Sequence, residues 1–149
     1  MTTALRGRAH IKLDPKGRLS LPTSFRSGLG RSTKVVLTNN TLHGQNFLDL
    51  FPFAEWLKLE KKVATWPALK PEVVAFQRYY ISSAEVTELD SQGRLLVPQH
   101  FRDYAELKED LVLAGMGSKI EIWSQKKWGQ LLGDIEKDFS RITQVLADL

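Results

Sequence analysis

The sequence predicts an α+β fold in which two related units share one core, with helices after each unit. Three observations predict it: a motif that occurs twice, short apolar runs of strand length around each copy, and helical periodicity after each copy. The chain has 149 residues, of which 42% are hydrophobic and 26% charged. This composition is typical of one soluble globular domain or of two very small ones.

The repeated motif is the strongest feature of the chain. Residues 13–26 read LDPKGRLSLPTSFR and residues 89–102 read LDSQGRLLVPQHFR, with eight of fourteen positions identical at an offset of 76. After the loss of four residues, the run 48–51 matches 120–123, and Trp56 then matches Trp128. Chance does not keep register over such a length, so the sequence contains a duplicated unit.

Each unit is predicted to contain four strands and one short helix. The two glycine-arginine loops separate the first strand from the second, and a proline at the first helical position begins the helix. The predicted elements of the two units are strands at 8–13 and 84–89, strands at 18–21 and 94–97, helices from Pro22 to about Gly28 and from Pro98 to about Leu107, and final strand pairs at 34–38 with 47–51 and 111–114 with 119–123. A unit of this size buries too little surface to be stable alone. We therefore expect the two units to interleave their strands about a pseudo-twofold axis.

Helical patterns follow each unit. An apolar stripe begins at Phe53 and ends at Pro67, and a second helix is predicted from Pro71 to Tyr80. Near the end of the chain, apolar residues alternate spacings of four and three, which is typical of a heptad seam; they are Trp128, Leu132, Ile135, Phe139, Ile142, Leu146 and Leu149. Packing on its own domain and packing against another subunit both account for this helix. The predicted division of the chain is 8–55 for the first repeat, 56–80 for a helical connector, 84–127 for the second repeat and 128–149 for the C-terminal helix.

Charge is distributed unevenly along the chain. The net charge is +4, but residues 1–38 hold eight basic residues and one acidic residue, whereas residues 81–123 hold four basic and eight acidic ones. A block of one sign indicates the kind of partner rather than the fold. The first segment therefore favours a polyanion.

Residues for catalysis or metal binding are few. The sequence has no cysteine, its three histidines lack metal-ligand spacing, and no hydrolase, zincin or dinucleotide fingerprint occurs. The run Gly115–Lys119 precedes a strand rather than a helix, so it is predicted to be a hairpin turn and not a phosphate loop. We expect no enzyme activity, no cofactor, no metal and no small-molecule substrate.

A membrane location is not expected either. No apolar run approaches the roughly 20 residues that a membrane span needs, and the opening segment 1–8 has charge but no apolar stretch. The sequence predicts a soluble intracellular protein.

The two D-x-x-G-R loops are the candidate functional elements. Asp14 with Arg18, and Asp90 with Arg94, place opposite charges four residues apart around a glycine that permits a tight turn. One interpretation is an ion pair that makes the loop rigid. Another is an arginine presented to a phosphate or a guanine edge, which a guanidinium binds bidentately. Both can hold together.

The two loops differ in their surroundings. Lys16 lies in the first loop, within the basic segment, whereas Gln92 takes its place in the acidic second segment. We expect the first loop to face nucleic acid and the second to be mainly structural. The candidate DNA-binding residues are Arg6, Arg8, Lys12, Asp14, Lys16, Gly17 and Arg18, and the second-repeat signature is Asp90, Gly93 and Arg94.

The duplicated D-x-x-G-R-[LI]-x-[LIV]-P block, its spacing and the trailing helix resemble the MraZ family of bacterial transcriptional regulators. The resemblance covers essentially the whole chain, with Leu5-Arg6-Gly7 where relatives have an aromatic residue before Arg-Gly. It implies two SpoVT–AbrB-type units that form a swapped-hairpin β-barrel. It also implies binding to direct repeats of double-stranded DNA in the protein's own promoter, in the division and cell-wall gene cluster. A ring-like homo-oligomer in the cytoplasm, associated with the nucleoid, is implied as well.

Two other classes of function compete with DNA binding. An enzyme that uses the loop arginine as an anion clamp would need a base nearby, which the sequence does not offer. A protein-interaction or assembly module would use the terminal helix as its binding surface and leave the basic face incidental. Strong salt dependence of DNA binding would favour the regulator, because phosphate neutralisation releases counterions.

Overall fold

The structure is a computed structural model that describes residues 4–149; residues 1–3 of the predicted opening segment lie outside this range. The described part contains eight strands and five α-helices. The strands are β1 (Arg8–Lys12), β2 (Arg18–Ser20), β3 (Lys34–Leu42), β4 (Gln45–Pro52), β5 (Glu85–Glu88), β6 (Arg94–Leu96), β7 (Asp110–Gly115) and β8 (Ile120–Ser124). The helices are α1 (Thr23–Gly28), α2 (Phe53–Val63), α3 (Pro71–Phe76), α4 (Gln99–Tyr104) and α5 (Gln125–Leu146).

The strands form two antiparallel sheets that exchange strands between the units. The larger sheet has the order β1-β7-β8-β4-β3-β5, and β2 pairs with β6 in a separate two-stranded ribbon. The first strand of each unit thus pairs with the third strand of the other: β1 with β7, from Arg8↔Ala114 to Lys12↔Asp110, and β5 with β3. This is the interleaving that the small size of one unit predicts.

A closed barrel is not found within residues 4–149. Strands β1 and β5 are the edges of the six-stranded sheet, and the ribbon is not hydrogen-bonded into it as a seventh and eighth strand. The α+β class with antiparallel sheets is confirmed, and the AbrB-like barrel stays a prediction.

Equivalent residues of the two units meet at the centre of each sheet. In the ribbon, Leu19 lies opposite Leu95, and between β4 and β8, Asp49 lies opposite Glu121. Each pair consists of the same position in the two repeats, so a pseudo-twofold axis passes through both pairs.

One hydrophobic core lies between the two units. Leu19 and Leu95 of the ribbon, and Leu48 and Ile122 of the central strands, have no exposed surface. Burying a side chain of this size contributes about 1.5–3 kcal/mol. Because both units contribute to the same cluster, this core forms only when the two units come together.

A second, aromatic cluster lies under helices α2 and α3. Val36, Phe51, Trp56 and Tyr80 are buried in it. The helix predicted from Pro71 to Tyr80 is α-helical only as far as Phe76 and continues as a π-helical turn over Gln77–Ile81. In this turn the Tyr80 hydroxyl donates to Asp49, and the Tyr80 carbonyl accepts a hydrogen bond of 2.7 Å from Thr38. These contacts hold Tyr80 against the sheet.

The two prolines at the starts of the short helices lie just before the helix, whereas the sequence predicted them at its first position. Pro22 and Pro98 have ψ values of 150° and 149°, so each is the capping residue before its helix and not the first helical residue. Extended ψ lets the ribbon strand run directly into the proline. The hairpin turn predicted at Gly115–Lys119 is confirmed, since it joins β7 to β8.

Helix α5 packs on the sheet through its first turns. Trp128 lies 6.0 Å from Trp123 of β8 and packs edge to face against it. Farther along, Phe139 and Leu146 are 56% and 53% exposed, although both belong to the predicted heptad seam. Within residues 4–149, no helix is both long and apolar enough to cross a membrane.

Candidate nucleic-acid interface

The first D-x-x-G-R loop is held by its own aspartate. One carboxylate oxygen of Asp14 accepts hydrogen bonds from the backbone N–H groups of Arg18, at 2.8 Å, and of Lys16, at 2.9 Å. The other oxygen accepts the Arg18 Nε at 2.8 Å. The backbone N–H of Arg18, then its guanidinium and the N–H of Lys16, hold the pKa of Asp14 below its usual value. Gly17 has a φ of +85°, which a residue with a side chain rarely adopts.

The second loop repeats this geometry. Asp90 accepts the backbone N–H groups of Arg94 and Gln92, both at 2.9 Å, and the Arg94 Nε at 2.7 Å. The backbone N–H of Arg94 is again the largest cause that lowers the pKa of the aspartate. Gly93 has a φ of +74°. Both loops therefore contain the aspartate–arginine ion pair that makes the loop rigid, as one of the two interpretations of the sequence predicted.

Both loop arginines lie on the outer face of the ribbon. Leu19 and Leu95 point into the core, so the alternation of a strand turns Arg18 and Arg94 to the opposite face. Arg18 lies opposite Leu96, and Ser20 lies opposite Arg94. The two arginines are therefore diagonal neighbours, at a Cα separation of about 7–8 Å by standard sheet geometry.

Each loop is covered by an arginine from the other unit. A Cβ atom at Gly17 would lie 2.6 Å from the guanidinium carbon of Arg102, and a Cβ atom at Gly93 would lie 2.6 Å from Nη1 of Arg26. Arg102 also donates from Nε to the Val97 carbonyl at 2.9 Å. Each glycine therefore has a packing role besides its positive φ.

The backbone completes this cross-unit contact. The Val97 N–H donates to the Gly17 carbonyl at 2.9 Å, and the Leu21 N–H donates to the Gly93 carbonyl at 3.0 Å. Neither Arg26 nor Arg102 is among the site residues predicted from the sequence. The sequence did contain a signal for them, because both repeats have an arginine at this position.

The candidate cations before the first loop have different surroundings. Leu5 is buried and forms a β-bridge with Gly117, so the aliphatic residue fills an apolar site next to exposed Arg6. Arg8 lies over the ring of Trp128 at 5.5 Å. These contacts place Arg6 beside the β7–β8 turn and Arg8 beside α5, while Lys16 and Arg18 lie at the ribbon.

Lys12 is already paired with acids of the second unit. Its ammonium lies 2.9 Å from Asp110 and 3.4 Å from Glu109, and the hydrogen bonds that it donates to these carboxylates raise its pKa. The pairing follows from the strand exchange, because Lys12 of β1 lies opposite Asp110 of β7. The basic block of the sequence is therefore interlaced in space with acidic residues.

Metal-ligand groups are not found within the described residues. No group of three or more histidine, aspartate or glutamate side chains in residues 4–149 is placed to hold a metal ion. His100 pairs with Glu85 at 2.7 Å, at a site where both side chains are exposed.

The fold and its site define a duplicated α+β protein that presents two aspartate-held arginine loops on one ribbon. A family model described as "MraZ protein, putative antitoxin-like" matches residues 4–79 and 81–148. The chain is 38% identical over 142 residues to the transcriptional regulator MraZ of Natranaerobius thermophilus, covering 95% of this chain and 96% of that protein. It is 39% identical over 143 residues to the transcriptional regulator MraZ of Halothermothrix orenii, covering 96% of each.

The chain therefore belongs to the MraZ family. This family consists of transcriptional regulators and not of enzymes, which removes the anion-clamp enzyme from the alternatives.

Proposed function

We propose that this protein is a sequence-specific DNA-binding regulator that binds direct repeats in its own promoter, within the division and cell-wall gene cluster. The observation that carries the proposal is the β2–β6 ribbon, which bears Arg18 and Arg94 on its outer face. A two-stranded ribbon fits the major groove of B-DNA. The family's transcriptional regulators support the same function.

Arg18 is the residue we expect to contact a base edge. Asp14 binds it through Nε, and within residues 4–149 its two terminal nitrogens form no hydrogen bond to protein. The aspartate thus fixes the direction of the guanidinium and leaves the outer edge free for two parallel hydrogen bonds, as guanine offers. Gly17 permits the turn that makes this pairing possible.

The remaining candidate cations contribute affinity through phosphates. Arg6, Arg8 and Lys16 are exposed, with Lys16 beside Arg18 at the ribbon and Arg6 and Arg8 beside the β7–β8 turn and α5, whereas Lys12 is neutralised by its acidic partners. Three phosphate contacts give a slope of roughly −2.7 in log K against log salt. One subunit would therefore bind weakly at physiological salt, where non-specific binding has a Kd of about 10⁻⁴–10⁻⁶ M.

Multivalent binding by a ring-like homo-oligomer overcomes this weakness. Linked subunits engage successive repeats at high effective concentration. The exposed apolar residues of α5, among them Phe139 and Leu146, support contacts between copies. The same surface favours the alternative, a protein-interaction module with an incidental basic face.

The proposed architecture follows the repeat. Repeat one spans 8–55 and repeat two 84–127, with a connector at 56–80 and the C-terminal helix at 128–149. The exchange of β1 and β5 supports an AbrB-type swapped-hairpin arrangement of the two repeats. We place the protein in the cytoplasm, associated with the nucleoid through its DNA sites.

Two measurements test the proposal. Arg18→Ala is expected to weaken specific binding by about 1–3 kcal/mol in a folded protein, and Arg94→Ala by less, because Gln92 replaces the lysine of the first loop. Titration of the protein onto promoter DNA with one, two, three and four repeats is expected to show a collapse of affinity at one repeat. Equal affinity for one and four repeats would refute the multivalent mechanism, and an unchanged affinity of a folded Arg18→Ala variant would refute the assigned contact.

A further inference from the structure

A cleft that the DNA-binding proposal does not use lies beside α2 and α3. It has a volume of about 540 Å³ and is bounded by these helices, by strands β3 and β4 and by the β7–β8 turn at Ser118. Cavities of about 300–1,000 Å³ are typical of small-molecule sites. The cleft lies on the side of the aromatic cluster, and none of the loop arginines lines it.

The inner walls of the cleft are aromatic. Phe51 and Tyr80 form the buried part, with 5% and 7% of their surface exposed, and the Phe76 ring lies 5.1 Å from the Tyr80 ring. Tyr79 is 44% exposed at the edge of the cleft. Flat apolar ligands stack on such rings and cover the apolar surface that water contacts in the free protein.

Lysines surround the mouth of the cleft. Among the described residues, Lys58, Lys62 and Lys119 line it together with one carboxylate, Glu55. Glu55 is neutralised by Lys58 at 2.7 Å, and the Lys119 ammonium lies 2.8 Å from buried Asp49. The side chain of Lys62 forms no hydrogen bond or ion pair with any residue between 4 and 149, so its charge is available to an anion.

We propose that this cleft binds a small aromatic anion, with its ring system against Phe76 and Tyr79 and its acidic group near Lys62. The aromatic walls favour a ligand with a flat apolar body. The excess of lysine over glutamate around the cleft favours a ligand with a negative charge. Binding here does not depend on DNA and adds a ligand site to a protein otherwise expected to have none.

The test uses two fluorescent probes of similar shape on the full-length protein without DNA. 8-Anilinonaphthalene-1-sulfonate is an aromatic anion, and N-phenyl-1-naphthylamine lacks the sulfonate. Each probe is titrated with the wild type and with Lys62→Glu, and Lys61→Glu serves as the control because Lys61 lies on the same helix but does not line the cleft. Ser118→Trp blocks the cleft, and Met116→Trp is its control in the same turn.

The proposal predicts one saturable sulfonate site per chain. Lys62→Glu weakens the binding of the sulfonate about tenfold, since an attraction becomes a repulsion, and changes the binding of the neutral probe little. Ser118→Trp abolishes the binding of both probes, and neither control variant alters it. Sulfonate binding that is unaffected by Lys62→Glu or by Ser118→Trp overturns the proposal. A cleft occupied by a second copy also overturns it: the wild type then binds no probe, and Ser118→Trp lowers the mass of the oligomer.

Discussion

Gly17→Ala is expected to destabilise the protein by about 2–3 kcal/mol, through two separable effects. The first is the left-handed backbone, since a φ of +85° costs an alanine about 1–2 kcal/mol. The second is the contact with Arg102, whose guanidinium carbon, Nε and Nη1 would lie 2.6, 2.8 and 2.9 Å from the new methyl group. Arg102 must move and lose its hydrogen bond to the Val97 carbonyl, which costs about 1 kcal/mol.

A matched glycine separates the two effects. Gly44 has a φ of +77°, and no atom of residues 4–149 lies within 4 Å of a Cβ atom built there, so Gly44→Ala carries the backbone cost alone. Gly17→Ala is expected to exceed it by about 1 kcal/mol, a further fall of roughly 2–4 °C in Tm for a chain of this size. In an Arg102→Ala background the excess disappears, because the methyl group then has space.

Urea and thermal unfolding of the four variants provide the measurement. Equal costs for Gly17→Ala and Gly44→Ala would refute the packing argument. An excess that persists without Arg102 would show that the glycine is required for some other reason.

Three further predictions concern charge and assembly. Lys16→Ala is expected to reduce the salt slope of DNA binding by about 0.9. Lys12→Ala is expected to leave the slope nearly unchanged, because Asp110 already neutralises Lys12. Fluorescence anisotropy over a salt series measures both slopes, and equal slopes for the two variants contradict this prediction. The pKa of Asp14 is lower in the folded than in the unfolded chain, so its stabilisation is present above about pH 4 and is lost as the pH falls through the folded value. The Tm of Asp14→Asn should therefore fall less than that of the wild type between pH 6 and pH 3. An equal fall in both proteins argues against stabilisation by the Asp14 carboxylate. Phe139→Asp is expected to give smaller or misfolded species in light scattering, whereas an unchanged mass and Tm would leave the α5 seam without a role.

The repeat made much of the fold predictable, because equivalent positions of two copies constrain each other. It located the paired strands, the loops with Asp14 and Asp90, and the shared core. The sequence predicted that the two units interleave, but not which residues of one unit contact which residues of the other. Summing charge along the chain predicted a basic face, but strand exchange brings Asp110 next to Lys12. Likewise, Arg102 packs on a glycine 85 positions earlier in the chain, a distance at which no local pattern operates.

The strand exchange also has a kinetic consequence during synthesis. Strand β1 pairs with β7, whose Ala114 lies opposite Arg8, so its partner is translated about 100 residues later. At about 5–20 residues per second, β1 waits roughly 5–20 s for that partner. Long-range pairing of this kind slows folding and leaves strand edges unpaired in the nascent chain. When several ribosomes translate one message, β7 of a neighbouring chain can pair with β1 first, so domain-swapped dimers are the misfolded species that this topology favours.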